Sequence, residues 1–365
     1  MARHSIEQIK HRTEAMTGAD ATVTTRRDAL VRLLCAGASL PLRHGLGAVA
    51  GAIAIPASRA FGQVPAEGAH LVLLGTQGGP NLTSMRGECA SAVVVDGETY
   101  MVDCGYGAMM ALVEAGLRVR DVANIFITHL HDDHIADLAA LLSHQWTDGR
   151  IEATQVIGPW GTAATVDAAV AFTRANADIR FVDEARSVRP EEIIGGRDIE
   201  ALPTPTEVFA DDRVRVMAVE NTHFPEYAKE RMPYRSVSYR FDTADRSIVF
   251  SGDTTYSENL IELARGVDIF VCETIEVDTL KRSFDARVAA GAYADNAEGI
   301  WAHIVGTHAS TVDVGRMAAA ADVGTVVLTH LLPGSLLPVE DSLYLEGIRQ
   351  NFDGEIIVGR DGLVI

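Results

Sequence analysis

The sequence predicts an α/β fold of the α+β kind, a sheet-rich core covered by helices on its outer faces. Two observations carry that expectation. Short apolar, β-rich runs come first in clusters and then alternate with helical periodicity, which is the pattern of stacked sheet and helix layers. In addition, polar residues with ligand chemistry recur just past the ends of the predicted strands.

Each element has its own local reason. Leu71-Val72-Leu73-Leu74 is a short apolar run ended by Gly75, as a buried strand would be. Ala90 to Val95 and Thr99 to Val102 are β-rich runs joined by Asp96-Gly97, a strong two-residue hairpin signal. That register sets Cys89 opposite Cys104 at a hydrogen-bonded site, where a bridge would be strained, so two buried free thiols are expected. Ala108 to Ala115 reads as a helix stopped by Gly116. Asn124 to Thr128 reads as a strand, Ile135 to Trp146 as a helix, Val156-Ile157 as a strand and Val166 to Arg174 as a helix. Val214 to Val219 and Ser236 to Phe241 alternate as strands, and Ile248 to Phe250, Ile269 to Val271 and Val326 to Leu328 are further strands. Val312 to Ala321 is a helix that Ser310 and Asp313 can cap. The segments 224–233 and 277–296 carry no readable pattern.

Composition narrows the class. The chain has 365 residues, 47% hydrophobic and 22% charged, enough for one large core or two packed half-cores. The formal net charge is −19, and residues 61–365 carry 23 Lys/Arg against 46 Asp/Glu. A body this acidic repels phosphate backbones, so no nucleic-acid partner is expected. The four cysteines, Cys35, Cys89, Cys104 and Cys272, have no metal-site spacing.

Residues 1–60 read as an export signal, leaving a single domain at 61–365. Arg26-Arg27 precedes a weakly apolar stretch and then Ala57-Ser58-Arg59-Ala60, the pattern of a twin-arginine signal with cleavage after Ala60. Arg43 and His44 interrupt the apolar stretch, which makes it a poor membrane span. The expectation is a periplasmic protein with no stable membrane anchor after cleavage.

The chemistry concentrates in Thr128-His129-Leu130-His131-Asp132-Asp133-His134. On an extended loop, alternate residues point to one side, so His129 and His131 can reach one ion. Asp133 and His134 come where the chain turns into a helix, and can reach a second. Imidazole and carboxylate are the expected ligands of hydrolytic zinc. Three histidines fall within six positions, out of 12 in the chain, which weighs against an incidental polar loop. His223, Asp253 in Ser251-Gly252-Asp253-Thr254, and His330 in Leu328-Thr329-His330-Leu331 complete a ligand set for two ions.

His-x-His-x-Asp-His, followed by a His, a Gly-Asp and a Thr-His at strand ends, resembles the metallo-β-lactamase superfamily. The resemblance implies a four-layer αββα sandwich. It assigns His129, His131 and His223 to one zinc site, Asp133, His134 and His330 to another, and Asp253 to the bridge between them. The redox-active di-iron branch carries glutamate where this chain has His131, so the likeness is to the hydrolytic branch. Leu74-Gly75-Thr76-Gln77-Gly78-Gly79-Pro80, Asp103-Cys104-Gly105 and Gly158-Pro159-Trp160-Gly161-Thr162 resemble the tRNase Z group. Cys272-Glu273-Thr274 and Thr307-His308-Ala309-Ser310 align with two further loops of that group. Phe241-Asp242-Thr243 and Val249 to Thr254, with Ser257 to Ala264, resemble its arylsulfatase-like subgroup.

Hydrolysis by metal-activated water is the chemistry this resemblance implies. Asp133 is both ligand and hydrogen-bond partner of the attacking water. His308 matches a catalytic acid of the tRNase Z group, and Glu273 orients a neighbouring loop. Asp103 and Asp132 are expected to support the site rather than react. The expected cofactors are two Zn2+, with Mn2+ or Fe2+ also suited to mixed His/Asp ligands. The expected substrate is a small-molecule ester, an aryl sulfate or a phosphodiester of similar size. A lactone, a tRNase Z-like nuclease substrate, and a zinc-binding role on a degenerate hydrolase fold are the alternatives. Against the nuclease stand the export signal and the acidic stretch 176–200. Oligomeric state is open, a homodimer included.

Overall fold

The computed structural model describes residues 61–200, 202–334 and 340–365. The twin-arginine segment and its cleavage site lie outside them. Among the described residues no helix is long and apolar enough to cross a membrane.

Two sheets form the centre. β1 (Ala69–Gly75), β2 (Ala90–Val95) and β3 (Glu98–Val102) make an antiparallel meander. Asp96 and Gly97 turn the β2–β3 hairpin with φ of 48° and 82°, the left-handed pair that a two-residue loop requires. The chain continues through α1 (Ala108–Glu114), β4 (Asn124–Phe126), α2 (Asp132–Ile135), α3 (Leu138–Thr147), β5 (Thr154–Pro159), α4 (Thr162–Asp183), α5 (Pro190–Ile193) and β6 (Ile194–Ile199). The first sheet runs β1-β2-β3-β4-β5-β6, parallel from β3 onward.

The second half holds β7 (Thr206–Ala210), β8 (Arg215–Glu220), α6 (Glu226–Lys229), β9 (Val237–Asp242), β10 (Ser247–Phe250), α7 (Glu258–Leu263) and β11 (Ile269–Ile275). It closes with α8 (Val277–Ala289), α9 (Ala297–Thr307), α10 (Thr311–Ala321), β12 (Thr325–Leu332), α11 (Asp341–Ile348) and β13 (Glu355–Val358). The second sheet runs β13-β12-β11-β10-β9-β8-β7.

Strand alternation builds the layers. Leu71, Leu73, Tyr100 and Phe126 face Tyr239, Phe241, Ile248 and Val271 in the core between the sheets. Val72, Leu74, Met101 and Ile125 point the other way, under α1, α3 and α4. Val249, Phe270, Val326 and Leu328 face outward under α7, α10 and α11. The result is the expected αββα stack. Phe126 pins its centre, with edge-on contacts to Phe209, Tyr239 and Phe241 at ring-centroid distances of 5.6, 5.5 and 5.1 Å. Such pairs add about 0.5–1.5 kcal/mol each beyond area burial.

The helix expected over Ile135 to Trp146 is divided. Cys104 N donates to His134 O, and Asp137 N donates to Cys104 O. These bonds tie the turn α2 to the loop after β3, and α3 starts only at Leu138. Cys89, Cys104 and Cys272 are buried free thiols, the state expected of the first two.

Candidate metal centre

The site lies at one end of the facing sheets, on loops leaving their strands. The loop after β4 carries His129, His131, Asp133 and His134; His223 follows β8; Asp253 follows β10. His330 sits inside β12 rather than beyond it. The β11–β12 register slips between Glu273 and Thr274, and His330 there has φ of 43°. A bulge with a strained residue re-aims a side chain, and this one turns the imidazole to the site.

The structure brings all seven residues together. His129, His131, His223 and Asp253 form one group able to hold a metal ion, and Asp133, His134, Asp253 and His330 form another. Asp253 belongs to both. Its Oδ2 lies 3.6 Å from His129 Nε2 and 3.3 Å from His330 Nε2, and its Oδ1 3.3 Å from His134 Nε2. His131 Nδ1 lies 3.0 Å from His129 Nε2 and 3.2 Å from His223 Nε2. His134 Nε2 and Asp253 Oδ1 face each other at 3.3 Å, both buried and neither in a hydrogen bond. Buried polar atoms are rarely left so. Converging, unpartnered nitrogens and carboxylate oxygens fit a cation, so the donor set suits the metals expected from the sequence.

Neighbouring groups aim the ligands. His134 Nδ1 lies 2.8 Å from Asp103 Oδ2, and Asp103 also accepts from Thr128 N and Thr128 Oγ1. His223 Nδ1 donates to Thr307 O at 2.9 Å. In both rings this leaves Nε2 for the centre, the usual outer support of a metal-binding histidine. Gly79 N donates to Asp133 Oδ2 at 2.8 Å. A Cβ on Gly79 would stand 2.2 Å from Asp133 Cβ, so only glycine permits this approach. Asp132 is exposed and takes no place in either group.

Electrostatics agree. Burial, then the charge of His134, holds His129 well below the ordinary imidazole range, and burial does the same to His223. Neutral imidazole is the ligating form. Burial opposes charge on His134 and His330 too, but Asp253 leads the carboxylates that pull both upward, His330 to about 9. Clustered carboxylates thus demand positive charge, which protons supply where cations would. Cys89 sits within reach of Asp103 and His134, but burial pushes its thiol up to about 12, so it stays protonated and is a poor ligand.

His308 lies beside this centre, between α9 and α10. Its Nδ1 is 3.1 and 3.0 Å from the two carboxylate oxygens of Glu273, leaving Nε2 for the cavity that His308 lines. Glu273 also accepts from Thr254 N at 2.6 Å. It therefore holds the Asp253 loop and the His308 ring together, whereas the sequence suggested only a loop contact.

A cavity of about 300 Å³ opens over Asp133, Asp253, His308 and His330. Its far wall is the pair α8 and α9; α8 falls in the segment 277–296 that gave no pattern, and α9 begins just past it. Leu280, Phe284 and Arg287 on α8, and Ile300, His303 and Ile304 on α9, line it. Sequence reading missed Arg287 and His303. Their only trace in sequence is a spacing of i, i+4, i+7 on one helix and i, i+3, i+4 on the other, each too short to read alone.

Comparison with known proteins agrees with the fold. The model described as "Beta-lactamase superfamily domain" matches residues 98–331. Ribonuclease Z of Mycobacterium sp. (strain KMS) is 28% identical over 294 residues, covering 80% of this chain and 94% of the relative. Among solved structures, the metallo-β-lactamase fold protein YhfI from Bacillus subtilis superposes with TM-score 0.56 at 17% identity, over 82% of this chain and 100% of its own. Human tRNase Z, short form, superposes with TM-score 0.55 at 19% identity, over 81% and 98%.

These relatives overturn one expectation, that the acidic charge excludes nucleic acid: chains matching over most of their length are ribonucleases. The physical reason is range. Net charge is a sum over the whole surface, whereas surface charges are screened beyond about 10 Å in salt. It therefore does not set the potential at one recessed, cation-binding site.

Proposed function

The chain belongs to the metallo-β-lactamase superfamily, and from that premise we propose that it is a dinuclear zinc hydrolase of phosphodiesters, RNA among them. The observation that carries this reading is the pair of ligand groups sharing Asp253, with the Glu273–His308 pair at their edge. The ribonuclease relatives support the phosphodiester. Bound zinc would supply Lewis acidity and lower the pKa of water to about 7.

The chain's own residues do the rest. His129, His131 and His223 would hold one ion and Asp133, His134 and His330 the other, with Asp253 a member of both groups. Asp133 accepts a hydrogen bond from the attacking water. His308 gives the leaving oxygen its proton from Nε2, while Glu273 fixes Nδ1–H and keeps the ring charged. A second reading, a sulfate ester of the arylsulfatase type, draws support from the small apolar-walled cavity.

Metal analysis and a substrate panel test both readings. The purified protein should carry close to two zinc ions per chain; manganese or iron in their place would change the cofactor but not the ligands. Bis(p-nitrophenyl) phosphate and an RNA oligonucleotide should be cleaved ahead of p-nitrophenyl sulfate, a lactone and a cephalosporin. Turnover of the last three with neither diester touched would sink the phosphodiesterase reading. Export is part of this proposal, and Arg26→Lys with Arg27→Lys should retain the protein in the cytoplasm; normal export of that variant rejects it.

A further inference from the structure

We propose that the α8–α9 wall is a specificity pocket for one compact unit of the substrate: a flat apolar or aromatic group, joined to the scissile ester, that bears a second negative charge held by Arg287. The inference rests on the phosphodiesterase reading for where the scissile ester lies, and adds what must be attached to it.

Three observations carry it. First, Leu280, Phe284, Tyr293, Ile300 and Ile304 give the cavity that Asp133, Asp253 and His308 also line an apolar wall. A wall of that kind gains by covering an apolar group and has nothing to offer a hydrated sugar chain. Second, Arg287 lines the same cavity. Its Nε is buried with no hydrogen-bond partner, and among the described residues no ion pair engages it. Its guanidinium carbon sits 5.5 Å from the Tyr293 ring centroid, a contact that orients the group without neutralising it. A buried donor on an obligate cation is costly to leave unmade. An anion arriving with the substrate would satisfy it, as guanidinium groups match carboxylate and phosphate geometry. Third, about 300 Å³ is at the small end of ligand clefts, room for one ring-sized unit rather than a stretch of polymer.

The chemistry fits two sources. In RNA the unit is one nucleotide, its base on the apolar wall and its neighbouring phosphate on Arg287. In a small diester it is an aryl group carrying a carboxylate or sulfate. The two share a flat ring and a remote anion.

Calorimetry on the zinc-loaded protein tests the pocket without turnover. Two ligand pairs are compared, each differing by the remote anion: 4-carboxyphenyl phosphate against phenyl phosphate, and uridine 3′,5′-bisphosphate against uridine 5′-monophosphate. The second anion should tighten Kd about tenfold, in keeping with a hydrogen bond to a charged group. In Arg287→Gln that gain should vanish, and in Arg287→Lys part of it should survive. A gain in both pairs or in either one supports the pocket and names its source. No gain in either pair overturns it, as does a gain that persists in Arg287→Gln. Bis(p-nitrophenyl) phosphate turnover is measured beside it. Binding selectivity without diester turnover would break the phosphodiesterase reading and leave the pocket standing. Turnover without selectivity would do the reverse.

Discussion

At the scale of single residues, the site is organised by which nitrogen of each histidine is already engaged. Asp103 holds Nδ1 of His134 and Thr307 O holds Nδ1 of His223, so both present Nε2. His308 obeys the same rule with Glu273, but it stands outside both ligand groups of the seven residues. Two predictions separate ligand from acid. Asp253→Ala should remove the oxygens both groups share, and metal content should fall by at least half. Full metal occupancy in that variant would contradict the shared role. His308→Ala should keep its metal and lose about 10²- to 10⁴-fold in turnover of poor leaving groups, the usual range for a general acid; p-nitrophenolate esters, which need no proton, should lose far less.

The pH profile belongs to the same residue. Burial disfavours charge on His308, but the Glu273 carboxylate more than offsets it and the ring's pKa lies above the ordinary value. The protonated acid therefore persists to higher pH than a free histidine would, and activity falls as pH rises through that raised pKa. Glu273→Gln removes the charge while keeping an acceptor, so the alkaline limb should move to lower pH. A limb that stays in place would show that Glu273 acts only on the loop it also holds through Thr254.

At the scale of elements, the loops carry more than the strands show. The turn α2 exists because His134 O and Asp137 N bond back to Cys104, and that turn is what places Asp133 and His134. Gly79 meets Asp133 from the opposite side. Gly79→Ala should push the carboxylate aside, so that the group around His330 loses its ion while the His129–His131–His223 group keeps one. Metal analysis should then read about one ion per chain; two would mean that the loop gives way without consequence. The ligand loops were legible because a metal needs several donors close together, and four of the seven fall within six residues of sequence. The bulge at His330 was not legible, since a one-residue slip in β12 leaves no mark in composition. Nor were α8 and α9. Gly291 and the turn up to Asn296 only separate them, and their apolar faces are short i, i+4 fragments until both are set against one cavity.

At the scale of the whole molecule, the layers were readable because the central strands are apolar on both faces, and only a strand between two layers needs that. Leu71 and Val72 both look buried in sequence, and both are, against different layers. Net charge misled for the opposite reason: it averages over the surface what the site concentrates. The ligands themselves tie the molecule together. His129, His131, Asp133 and His134 leave the first sheet, while His223, Asp253 and His330 belong to the second. Cations held between them would cross-link the two halves of the sandwich, and folding stability should then depend on metal. A ligand that binds only the folded state at about 100 times its Kd stabilises by about 2.7 kcal/mol, or roughly 4 °C in a domain of this size. Chelation should lower Tm by about that much for each ion, and added zinc should restore it. The loss should also grow with pH. In the metal-free protein His330 is raised to about 9, burial notwithstanding, by Asp253 and Asp133. Its proton stabilises the folded state fully below the unfolded value of about 6.5, and that stabilisation drains away as pH climbs toward 9. Calorimetric scans with chelator at pH 6.5 and pH 9 should therefore diverge, with the higher pH giving the lower Tm, and saturating zinc should bring them together. Equal Tm values with and without chelator at both pH values would show that the two ligand groups do not bind metal strongly enough to bridge the sheets.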